Sequence, residues 1–184
     1  EKVTAQGNAL ALLALEAMNQ PEAVIDSAGI SLIVRTIFLP ISNNLYKLGT
    51  ALGVIDRGMP QWMKMRSELA AFQIGPVSFL TVPGEIYPEI VNGGVEAPEG
   101  GDFDVDPVEV PALRNLMPGT FKFVLGLAND EIGYIIPKSQ WDEKPPFTYG
   151  RDDSPYGEEN SAGPETAPIL YGHFKEMLDE LRQG

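Results

Sequence analysis

The sequence predicts an α/β or α+β fold: a mixed sheet with helices packed on it. Three observations carry that prediction. A leucine- and alanine-rich stretch with helical character stands near the start of the chain, and one with an apolar helical face near its end. Runs rich in Val, Ile, Phe and Thr lie between them. The chain is 43% hydrophobic and 21% charged, which is enough apolar material for a core. Helices that alternate with strands favour layers of helix against sheet, and 184 residues suit a single domain or a domain fragment.

The first element is a helix from about Val3 to Asn19, apolar on most sides and therefore expected to be buried, with Asn19-Gln20-Pro21 closing it. Its stretch "NALALLALEAM" contains Glu16 and is too short to cross a bilayer, so no transmembrane segment is expected. "GISLIVRTIFLPI" reads as a strand stopped by Pro40. Alternation puts Ile30, Leu32, Val34 and Thr36 on one face, and Ser31, Ile33, Arg35 and Ile37 on the other. Residues 43–53 suit a short helix. Residues 60–71 suit a second, with Trp62, Met65 and Leu69 on one stripe. A mostly buried strand follows from Val77 to Val82 and is stopped by Pro83 and Gly84.

Beyond Glu85 the composition changes. Residues 93–110 mix glycine, proline and acids with little periodicity and read as a loop or insertion. "TFKFVLGLAND" is a strand ending at Gly126, "EIGYIIP" a short extended piece, and 138–163 an irregular, turn-rich segment of the kind often tied to function. From Pro164 a helix aligns Leu170, Phe174, Met177, Leu178 and Leu181 on one face.

The charge balance narrows the partners. Thirteen Lys and Arg against 26 Asp and Glu give a net charge of -13, which repels a nucleic-acid backbone or an anionic membrane surface. The absence of cysteine removes disulfides, thiolate nucleophiles and sulfur-ligated zinc. With His173 as the only histidine and no G-x-S-x-G elbow, a Ser-His-Asp triad has little support, and no phosphate-binding glycine loop occurs. His173 borders the apolar stripe of the last helix and is expected to donate to a carbonyl or to water. The start at Glu1-Lys2 is expected of a processed protein or of a piece of a longer one.

Two sets of acids are candidate sites. Glu85 follows Pro-Gly where a strand breaks into a turn, and from "VPGE" alone the plain reading is a solvated turn glutamate. Asp102, Asp104, Asp106 and Glu109 could supply oxygen ligands to calcium, with the alternation hinting at one shared face. They lack the turn glycine and terminal glutamate of a standard calcium loop, which favours a solvated acidic loop. Asn129 is expected to order the turn before Tyr134, with Asp130 and Glu131 exposed.

"IGPVSFLTVPGE", then "GLANDEIGYIIP", then "SAGPETAPILYGHFKEML" together resemble the later part of the catalytic domain of the neutral ceramidases, zinc-dependent amidases that split ceramide into sphingosine and fatty acid. The order and approximate spacing of the three segments agree with that family. The resemblance implies that Glu85 and Tyr134 are zinc ligands, with Tyr134 also in a catalytic role. It implies further that histidine ligands come from a preceding half of the domain, that the substrate is a lipid amide or another amide, and that the protein is secreted or periplasmic. Two departures stand out: "IYPEIVNGG", with Pro88, follows the turn where the family has Phe-Thr-Thr, and Glu165 stands where a histidine is usual. The alternative is a noncatalytic acidic binding or structural module with the same fold.

Overall fold

The computed structural model describes residues 1–19, 25–55 and 63–183. A long antiparallel pair sets the frame: β1 (Ile30–Pro40) runs against β2 (Lys64–Ile74) along its whole length, from Ile30 opposite Ile74 to Pro40 opposite Lys64. Helix α1 (Lys2–Met18) precedes this pair, and α2 (Asn44–Ala51) lies between its strands, capped by the Asn43 side chain on the amides of Leu45 and Tyr46. β3 (Val77–Thr81) returns antiparallel on β2. Then β4 (Glu85–Ile86), α3 (Pro88–Asn92) and α4 (Leu113–Leu116) lead across to β5 (Phe121–Leu125), which lies parallel to β3. The four-stranded sheet thus has the order β1-β2-β3-β5. β6 (Tyr134–Ile135) pairs with β4 in a separate two-stranded ladder, and α5 (Tyr156–Glu159) and α6 (Thr166–Gln183) complete an α+β chain.

Alternation divides the four-stranded sheet into two faces. On one, Ile37, Leu39, Met65, Leu69, Ala71 and Leu80 are buried under α6, whose Leu170, Phe174, Met177, Leu178 and Leu181 form the expected stripe. Arg35 projects from this face to Glu176 and Glu180 at the border of the helix. The opposite face carries Ile30, Leu32 and Val34 from β1, Phe72 and Ile74 from β2, Phe79 from β3, and Phe121, Phe123 and Leu125 from β5. Phe72, Phe79 and Phe123 stack across three strands, with centroids 4.6 and 5.4 Å apart. Most of this apolar face is exposed.

Two expectations need correction. Within residues 60–71, Lys64 to Ala71 belong to a strand and not to a helix; Trp62 lies outside the described residues. Met65 and Leu69 do fit a helical stripe, but Met65, Ser67, Leu69 and Ala71 also alternate, and backbone pairing to β1 on one side and β3 on the other outweighs their helix propensity. The first helix does form, yet every residue of α1 is exposed, Leu10, Leu12 and Leu13 included. Its composition favours removal from water without specifying which surface removes it, and the helix side of the sheet is already filled by α6.

Candidate functional site

Glu85 and Tyr134 come together through the backbone before they do so through their side chains. They are register partners in the parallel ladder of β4 and β6, fastened by Glu85 N–H to the Gly133 carbonyl at 3.1 Å and Tyr87 N–H to the Ile135 carbonyl at 3.1 Å. The glycine of the Pro-Gly-Glu turn is what lets the ladder close. A Cβ on Gly84 would lie 2.4 Å from the Gly133 carbonyl oxygen, and one on Gly133, at φ +87°, would lie 2.0 Å from the Asn160 carbonyl oxygen. Neighbouring strands stand about 5 Å apart, so side chains at one register position share a face.

The Glu85 carboxylate raises the Tyr134 phenol above its ordinary value, with burial next and smaller contributions from Tyr156 and Glu131. Tyr156 meets the Tyr134 ring edge-on at 5.8 Å, and Ser161 Oγ donates to the Tyr134 carbonyl at 2.7 Å. Tyr87, two residues beyond Glu85, is half-buried. Its hydroxyl lies over Gly157, where a Cβ would approach it to 2.8 Å, and burial followed by the charge of Glu158 pushes the phenol up to about 12.

The turn that delivers Tyr134 is ordered as expected by Asn129, which has a left-handed φ of 73° and donates Nδ2 to Thr81 Oγ1 at 3.2 Å. Glu131 is exposed and accepts from Gly133 N–H at 2.7 Å. Asp130, by contrast, is half-buried, because it accepts from Ser67 Oγ at 2.8 Å. These residues adjoin a polar cleft of about 300 Å³ between Thr36, Arg66, Glu68 and Asp130.

The other candidate residues lie apart from one another in role. Asp102 accepts from the amides of Glu143 and Lys144, while Asp104 and Asp106 are exposed. Glu109 is fully buried, which pushes its carboxyl up, and its Oε1 receives a long contact from Lys138 N–H. The four acids therefore do not turn to one face. Glu165 pairs with Lys138 at 2.5 Å, and His173 is half-buried on α6 with its Nδ1 shut off from solvent and without a partner.

Glu85 and Tyr134 fit a metal as two adjacent oxygen donors, one anionic and one that ligates on losing its proton. Among the described residues no three His, Asp or Glu side chains lie close enough to share one ion. Tyr87, Tyr156 and Glu158 were not anticipated as neighbours of this site. The i, i+2 spacing of Glu85 and Tyr87 was the available signal for one of them. No family model matches the chain, and neither a curated protein nor a solved structure matches it.

Proposed function

We propose that the chain is the C-terminal portion of a zinc-dependent, ceramidase-like amide hydrolase in which Glu85 and Tyr134 are two of the metal ligands. The observation that carries the reading is their pairing at one register position, with the Glu85 carboxylate acting on the phenol. When bound, zinc supplies an acidified water and a polarised amide carbonyl. The chain's own residues orient the site. Gly84 and Gly133 set the separation of the two strand ends, Tyr156 braces the Tyr134 ring, and Glu85 favours the protonated phenol.

The remaining ligands are assigned to histidines in a preceding half of the same domain. The exposed apolar face of the four-stranded sheet supports such a partner, because a second layer packed about 10 Å away would remove it from water. The substrate class that follows from the resemblance is an amide, with a lipid amide as its first member, and the location secreted or periplasmic.

Hydrolysis of a short-chain ceramide by the chain joined to that half, in the presence of zinc, is the test. Turnover is expected, falling by about 100-fold in Glu85→Gln and in Tyr134→Phe. Undiminished turnover in both variants would contradict the assignment. The second reading is a noncatalytic acidic binding or structural module, and absence of turnover in the zinc-loaded joined protein would select it.

A further inference from the structure

Residues 93–110 read in the sequence as a loop or insertion, and in the structure they are fastened along a polar seam to a second irregular segment, 138–144. Ser139 Oγ donates to the Glu96 carbonyl at 2.6 Å, and the Asp102 N–H to the Trp141 carbonyl at 2.9 Å. The Asp102 carboxylate accepts in return from the amides of Glu143 and Lys144, at 2.9 and 3.2 Å. Ser139 and Trp141 are each only 2% exposed.

Glu109 stands at the far end of this seam and is its one fully enclosed carboxyl, at 0% exposure. Its Oε1 is reached by the Lys138 N–H at 3.4 Å, while Oε2 is shut off from solvent and has no partner among the described residues. The Lys138 ammonium is turned away to Glu165, at 2.5 Å. On the α6 side the neighbour is Tyr171, whose hydroxyl donates to the Pro111 carbonyl at 2.7 Å. An enclosed carboxylate keeps its charge only against a cation or several donors in contact, whereas a neutral carboxyl can stay enclosed without them.

We propose that Glu109 is a pH-sensitive latch: while it holds a proton the 93–110 segment stays seated on 138–144, and when the proton leaves, the carboxylate turns to water and the seam opens. The groups facing Glu109 are Lys138 from the opposing segment and Tyr171 from α6. The charge of Lys138 and the amides of Glu109, Lys138 and Val108 favour ionisation, but burial outweighs them and raises the carboxyl above its ordinary 4.5. The closed chain therefore binds this proton more tightly than the opened one. The contribution of Glu109 to closure is full below about pH 4.5 and is lost as pH rises through the raised value. The latch stands independently of the hydrolase reading.

Hydrogen exchange of the whole chain, compared as protection factors at pH 4.5 and pH 8, tests the proposal. The amides of Asp102, Glu143 and Lys144 are expected to lose about tenfold or more in protection at the higher pH, while those of α6 hold theirs to within about twofold. Glu109→Gln, which keeps the shape of the side chain and cannot ionise, should show less than about twofold dependence, and Asp106→Asn, which removes an exposed charge of the same segment, should behave as the wild type. The wild type keeps the test decisive should Glu109→Gln fail to fold: the Glu109 carboxyl carbon, followed by NMR, should titrate above 4.5 with the midpoint at which seam protection is lost. Equal protection at both pH values, a dependence that persists in Glu109→Gln, a loss shared equally by α6, or titration of Glu109 at the ordinary 4.5 would overturn it.

Discussion

On the helix side of the four-stranded sheet, Leu39, Leu69, Ala71 and Leu80 have lost all contact with water, whereas on the opposite side Ile30, Leu32, Phe121 and Phe123 remain 48% to 73% exposed. The two sets come from the same sheet and are alike in being apolar. They differ in having α6 above one and no described element above the other. An antiparallel pair that ends in water commonly places polar residues on its open face, whereas β1 places Ile30, Leu32 and Val34 there. The lesson extends to the carboxylates. Glu158 is enclosed with an open acceptor, while Glu85 stands exposed at a strand end beside a phenol.

Substitution on the two faces gives the largest expected contrast. Phe174→Ala, beneath the covered face, should cost about 3–5 kcal/mol in urea unfolding, and Phe123→Ala, on the open face, less than about 1 kcal/mol. Similar losses at the two positions would break the distinction. Next comes the enclosed carboxylate. Glu158 rises from an ordinary 4.5 to about 6 in the folded chain, so the native state binds the proton more tightly, and its contribution to stability is full below about pH 4.5 and lost as pH rises through 6. The difference in stability between wild type and Glu158→Gln should change by about 2 kcal/mol across that window. A flat difference would mean that the carboxylate is solvated. A small effect on stability is expected from Leu32→Thr, Phe79→Thr and Phe123→Thr together. They should change unfolding by no more than about 1–2 kcal/mol while lowering the binding of an apolar dye and any self-association of the chain. Unaltered dye binding would show that the open face is not the apolar surface being read.

How far the sequence could be read follows from where the competing forces lie. The face partners of β1 were legible because period-2 alternation is local, but which face is buried depends on α6, more than a hundred residues away in sequence. The last helix was legible in full, since Leu170, Phe174, Met177, Leu178 and Leu181 all face the sheet. β2 was misread because Met65 and Leu69 satisfy helical and strand spacings alike, and only pairing on both edges decides between them. For α1 the conformation was legible and the environment was not. At the site, strand-ending signals brought Glu85 forward and the resemblance brought Tyr134, whereas Glu158 sits in an irregular segment whose burial arises from packing that no local pattern encodes.

The central claim is that Glu85 and Tyr134 form part of a metal site completed by a preceding half of the domain. Zinc titration by calorimetry, on the isolated chain and on the chain joined to that half, tests it most directly. Two oxygen ligands predict binding no tighter than about micromolar for the chain alone; the joined protein should bind one zinc at submicromolar affinity, weakened about tenfold or more by Glu85→Gln. Submicromolar binding by the chain alone, or undiminished affinity in the joined Glu85→Gln protein, would contradict it.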